Sequence, residues 1–165
     1  MSFIKRRIQE RNEIKEAQYK MECSYAIPSI DKFIPWTKDV IKKATSSKTA
    51  DLKDSNEIMW YVNVLDGHYG RFISDLKEME FIYGCKLPDK EKESLKQKID
   101  YMHSLKKQYR KEFESIYSGF EHLSKGKEIP NRNSILSFMR KAFDFDSTKY
   151  NIRDDQLQQL ITKKI

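Results

Sequence analysis

The chain has 165 residues, and 32 Lys+Arg against 25 Asp+Glu leave a formal charge of +7. No apolar run approaches the roughly 18 residues that a membrane span needs, and 5 glycines and 4 prolines are too few for collagen, low-complexity or loop-rich sandwich architectures. Cys23 and Cys85 make no disulfide framework, which fits a reducing cytoplasm, and the charged start Lys5-Arg6-Arg7 is not that of a secretory leader.

The length suits a single domain over 1–165, and glycine and proline cut it into helical pieces. Residues 3–25 are rich in Glu, Lys, Gln and Arg and read as a helix. Its stripe of Phe3, Ile14, Ala17 and Met21 is interrupted by Arg7 and Glu10. The segment 1–25 is therefore expected to project or to dock loosely, as a basic arm carrying Lys5, Arg6, Arg7 and Arg11. Residues 26–34 hold Pro28 and form a break. Pro35 then opens a second helix, where its missing N–H costs nothing, with Trp36, Val40, Ile41 and Ala44 as the apolar face. Residues 45–56 read as a polar linker, and Asp54 or Ser55 caps the helix that follows.

The strongest periodicity comes next. Ile58, Val62, Leu65, Tyr69, Phe72, Leu76, Met79 and Tyr83 alternate in steps of four and three, an unbroken heptad stripe that Gly84 ends. After Pro88, Asp89 caps a second long helix with Leu95, Ile99, Met102, Lys106, Tyr109, Phe113, Ile116, Phe120 and Leu123 at the same spacing. Only Lys106 interrupts it. Setting Tyr83 across from Leu95 pairs Phe72 with Lys106, Tyr69 with Tyr109 and Leu65 with Phe113. Trp60, Tyr61, Ile73, Phe81 and Ile82 fall off the seam, so further helices must cover them. Ser134 caps a short helix with Ile135, Leu136, Phe138, Met139, Ala142 and Phe143, and a last amphipathic segment spans about 152–163, with Ile152, Leu157, Leu160 and Ile161. No segment alternates as a strand does. The expected fold is all-α, a helical bundle built around a long antiparallel hairpin (about 56–84 and 89–124) with shorter flanking helices.

The positive charge is spread: +2 over 1–25, +2 over 26–56, −3 over 57–84, +2 over 85–124 and +4 over 125–165. One local concentration stands out. His103, Lys106, Lys107, Arg110 and Lys111 share neighbouring faces of one helix, and the expected register sets His68, Tyr69 and Arg71 beside them, with Gly67 and Gly70 at the same level. Cations, hydroxyls and reduced bulk suit a phosphate, a nucleic-acid backbone or an acidic partner. The plainer account is a solvated face paired with Glu112 and Glu114, with the glycines serving close helix packing.

Catalytic and metal signatures are missing. There is no phosphate-binding glycine loop, no Gly-x-Gly-x-x-Gly, no Cys-x-x-Cys and no His-Glu-x-x-His. A calcium-like string from Asp144 to Asp155 has Lys149 where a glycine belongs and Asp155 where a bidentate Glu belongs. A helix-turn-helix reading of the last two segments would aim Asp154 and Asp155 at DNA phosphates. No enzyme activity, cofactor or metal is expected. Two readings remain. One is a small non-catalytic basic helical protein that contacts nucleic acid or a nucleoprotein complex through phosphates. The other is a protein-interaction module (an adaptor, an assembly subunit or an inhibitor of a larger machine) that uses the hairpin face and off-seam aromatics against a larger protein with an acidic face. No membrane partner is expected.

Overall fold

A computed structural model describes residues 3–47 and 50–145, and the side chains of all of these except 12–25. They form four α-helices in chain order: α1 (Phe3–Ser46), α2 (Leu52–Tyr83), α3 (Asp89–Gly126) and α4 (Arg132–Ala142). Among the described residues there is no strand. The all-α expectation holds, and so do the two long arms, α2 and α3. The segment 152–163 and most of the calcium-like string lie outside the described residues.

The largest departure from expectation is α1. It is one helix of 44 residues with Pro28 and Pro35 inside it, not two helices parted by a break. Its length is about 66 Å, against about 48 Å for α2. The reason is tertiary. Ala26, Ile30, Ile34, Thr37, Ile41 and Ala44 step by three and four across both prolines and are all buried. Both prolines face solvent, so their rings stand clear of the packed face, which continues past them. The one polar side chain in this stripe is satisfied locally, since Thr37 Oγ1 donates to the Phe33 carbonyl at 2.6 Å. Trp36, expected on the buried face, is 48% exposed.

α1 reverses into α2 and packs on it more extensively than on α3. The cap of α2 is Asp51, not Asp54 or Ser55. The Asp54 N–H donates to Asp51 Oδ1 at 2.9 Å, and the Asp51 N–H donates to Asp54 Oδ2 at 3.2 Å. That reciprocal pair satisfies two donors at the helix start. α3 begins after Pro88, with Asp89 inside its first turn. α4 begins at Arg132, earlier than Ser134, because Asn131 takes a left-handed turn (φ 59°) that Asn tolerates.

The core is aromatic where α2, α3 and α4 meet. Tyr69 sits edge-on to Phe113 with centroids 4.9 Å apart, Phe72 edge-on to Tyr109 at 5.3 Å, and Phe113 stacks on Phe143 at 4.5 Å. These contacts lie one helical turn from the expected register. Phe72 meets Tyr109 rather than Lys106, and Tyr69 meets Phe113 rather than Tyr109. Lys106 therefore has no large ring to oppose in the seam and is only half-buried. Polar links tie α1 to α3. Tyr109 donates its hydroxyl proton to Asp31 Oδ1 at 3.0 Å, and Lys38 pairs with Glu112. Lys127 Nζ donates to the carbonyls of Ala44 and Thr45 at 3.0 and 2.7 Å, a cation at the carboxyl end of α1 where the helix dipole favours it.

Tyr69 and Tyr109 are 2% and 1% exposed. Burial pushes the Tyr69 phenol well above its ordinary value, with the nearby Arg110 charge opposing and Asp144 adding to the rise. Burial, the hydrogen bond to Asp31 and the charges of Asp31 and Tyr101 do the same for Tyr109. A folded pKa above the unfolded value, near 10 for tyrosine, gives stability that is fully present below that value and lost as pH rises past it. Alkaline titration is therefore expected to unfold the chain above about pH 10, with two tyrosinates appearing only together with the loss of helicity. Complete tyrosinate absorbance with circular dichroism unchanged would contradict this.

Candidate functional site

The fold deals the sequence-predicted basic patch onto different faces. His68 turns toward α1, its ring 5.9 Å from that of Phe33, and Arg71 is exposed one turn further along α2. Tyr69 is sealed in the core and out of reach of any ligand. On α3, His103 Nε2 lies 2.6 Å from Glu80 Oε1 and so is engaged with α2. Lys107, Arg110 and Lys111 are exposed. Arg110 reaches the far end of α4, where Nη2 donates to the Asp144 carbonyl at 3.4 Å. Lys5, Arg6, Arg7 and Arg11 are all exposed on the first turns of α1, and the Arg7 guanidinium lies 5.1 Å from the Phe3 ring centroid.

What the fold assembles instead is an aromatic face between α1 and α2. Phe33 is its hub. Its centroid lies 5.2 Å from Trp36, 6.2 Å from Trp60 and 5.9 Å from Tyr61. Trp60 and Tyr61 meet edge to face at 5.0 Å. The two indoles remain 48% and 56% exposed, while Phe33, Tyr61 and His68 are half-buried beneath them. Gly67, two turns along α2 from Trp60, opens the same side: a Cβ there would meet nothing within 4 Å. The glycine is therefore not needed for helix packing, and it leaves the backbone approachable beside the rings.

Phe33 and Trp36 were not among the expected site residues. Reading α1 as broken at Pro35 turns Trp36 inward. The signal that finds them is the buried stripe from Ala26 to Ala44 taken straight through the prolines, which leaves Phe33 and Trp36 beside the stripe rather than on it.

Among the described residues no group of three His, Cys, Asp or Glu side chains converges to hold a metal, and no helix is long and apolar enough to cross a membrane. No protein-family model matches the chain, and no curated protein or solved structure matches it either, so the functional reading stands on the geometry alone.

Proposed function

We propose that the chain is a non-catalytic helical module that docks on another protein through the α1–α2 aromatic face. The observation that carries the reading is the pair of half-exposed indoles, Trp36 and Trp60, standing on a packed aromatic base. About half of each indole, on the order of 200–250 Å² together, is open to water. Covering that area contributes roughly 5–6 kcal/mol before the costs of association. Rings held by their neighbours lose little freedom on binding, which is why Trp and Tyr dominate interface hot spots.

The test is a paired cross-linking pull-down from source cells, comparing wild type with the double variant W36A/W60A. Hot-spot losses of about 2 kcal/mol or more per indole predict that affinity for the captured partner falls more than a hundredfold. Both indoles are half-exposed, so folding is retained. Identical partner sets and affinities for the two proteins would refute the reading.

A second reading, contact with nucleic acid, is favoured by a separate observation. Lys107, Arg110 and Lys111 stay exposed on α3, and Arg110 reaches toward the end of α4, whose last turn adds Arg140 and Lys141. Contacts of that kind are to phosphates and weaken steeply with salt.

A further inference from the structure

We infer that the outer face of α4, together with Tyr117 of α3, is a seat for a phosphodiester group of a nucleic-acid strand. The inference rests on the second reading above and adds its site. Asn133, Leu136, Ser137, Arg140 and Lys141 follow the helical repeat along one side of α4 and, with Tyr117, line an open concavity of about 360 Å³. That volume lies at the lower end of the range for small-ligand sites, about 300–1,000 Å³. It is more room than a lone anion needs and suits a phosphate carried on a sugar.

The chemistry of the lining is one-sided. Guanidinium, ammonium, amide, hydroxyl and phenol groups all donate hydrogen bonds, and among the described residues no carboxylate lines the concavity. α4 as a whole carries Arg132, Arg140 and Lys141 and no acidic residue. Arg132 lies beside the concavity: its Nε donates to Ser124 Oγ at 2.9 Å and its Nη1 to Asn133 Oδ1 at 3.2 Å. Arg140 is held by a ring, its guanidinium carbon 5.9 Å from the Tyr117 centroid. Tyr117 is itself braced edge-on by Phe145 at 5.2 Å. A guanidinium held over a ring keeps its planar fork of donors oriented, and that fork matches two phosphate oxygens at once.

The seat also has a continuation. The Phe145 N–H donates to the Arg140 carbonyl at 3.1 Å, and the preceding residue, Asp144, accepts from Arg110. The turn after α4 thus links the level of Arg140 to the level of Arg110 on α3. From there Lys107 and Lys111 extend the positive surface, so that successive phosphates of one strand could be met in turn. Glu114, one turn before Tyr117 on α3, is exposed and does not line the concavity.

The experiment is a fluorescence-anisotropy titration of mixed-sequence single-stranded and duplex oligonucleotides, each over a series of salt concentrations. Wild type is expected to bind with a steep salt slope. R140E/K141E is expected to lose at least tenfold in affinity at low salt. The milder R140Q/K141Q is expected to lower the slope of log K against log salt by about 1.4–1.8, the share of two phosphate contacts. The charge-matched control K90E/K96E, at the opposite end of α3, should stay within about threefold of wild type, the loss expected from a general field. Circular dichroism confirms that each variant is folded. An equal loss in the control pair would mean a net-charge effect and would overturn the seat. Loss confined to K107E/K111E would overturn the seat and leave the nucleic-acid reading standing. Absence of binding to any oligonucleotide at low salt would remove both, without touching the aromatic docking face.

Discussion

Replacing Phe113 by alanine is expected to destabilise the chain by about 3–5 kcal/mol, out of a total that for a domain of this kind is about 5–15 kcal/mol. Phe113 is 0% exposed. It also ties α3 to both α2 and the end of α4: it meets Tyr69 of α2 edge-on at 4.9 Å and stacks within 9° on Phe143, just past the end of α4. Truncation removes the buried ring, leaves a cavity among rings that cannot easily collapse, and forfeits three ring pairs, with Tyr69, Tyr109 and Phe143, worth about 0.5–1.5 kcal/mol each beyond their area. Urea unfolding followed by circular dichroism reads this as a fall in midpoint of about 2 M with the slope unchanged. The half-exposed Trp60→Ala is the contrast, expected to cost about 2 kcal/mol, since more than half of that ring is already in water. A midpoint for Phe113→Ala within about 0.5 M of wild type would mean that the aromatic cluster does not hold α4 to the hairpin.

The same cluster explains which parts of the fold were legible in the sequence. The stripes of α2 and α3 could be read because each side chain at a seam position reports burial directly: every position the spacing names from Ile58 to Met79 and from Leu95 to Leu123 is buried except Lys106, while Ile73 and Asp75 are buried beside the stripe. The register could not be read the same way. A heptad stripe shifted by one turn lands on itself, so Tyr69 finds an aromatic partner in Tyr109 or in Phe113 with equal local satisfaction. The choice is made by parts outside the seam. Phe143 stacks on Phe113 from α4, and His103 is drawn to Glu80. Neither partner can be assigned from the spacing within one helix. The basic patch depended on that register, and it counted the seam residue Tyr69 as reachable by a ligand although Tyr69 is buried, which is why it divides. The cations of α3 stay on the surface, while His68 joins a face that α1 and α2 build together around Phe33.

Proline carried the other error, and it leads to the second large prediction. Pro28 and Pro35 lie seven residues apart inside α1, both on its solvent side. An interior proline costs a helix about 3 kcal/mol through a lost hydrogen bond and a clash with the carbonyl four residues back. Proline also stiffens the unfolded chain, which returns about 0.4–1 kcal/mol to the folded side. Neither ring is buried, so substitution removes little packing. The double variant P28A/P35A is therefore expected to be more stable than wild type by about 4–5 kcal/mol. At about 2–4 °C per kcal/mol for a domain of this size, that is a rise in Tm of roughly 8–20 °C. A fall in Tm would mean that a straightened α1 fits its partner worse. Pro35 adjoins Trp36 and lies two residues past Phe33, so a bend set by proline would then be what brings the α1 rings against Trp60 and Tyr61. Under that outcome P28A/P35A would weaken protein docking as W36A/W60A does, although both indoles remain. Under the expected outcome the aromatic face keeps its affinity on a more stable helix, and the buried stripe from Ala26 to Ala44 is sufficient by itself to fix where Phe33 and Trp36 stand.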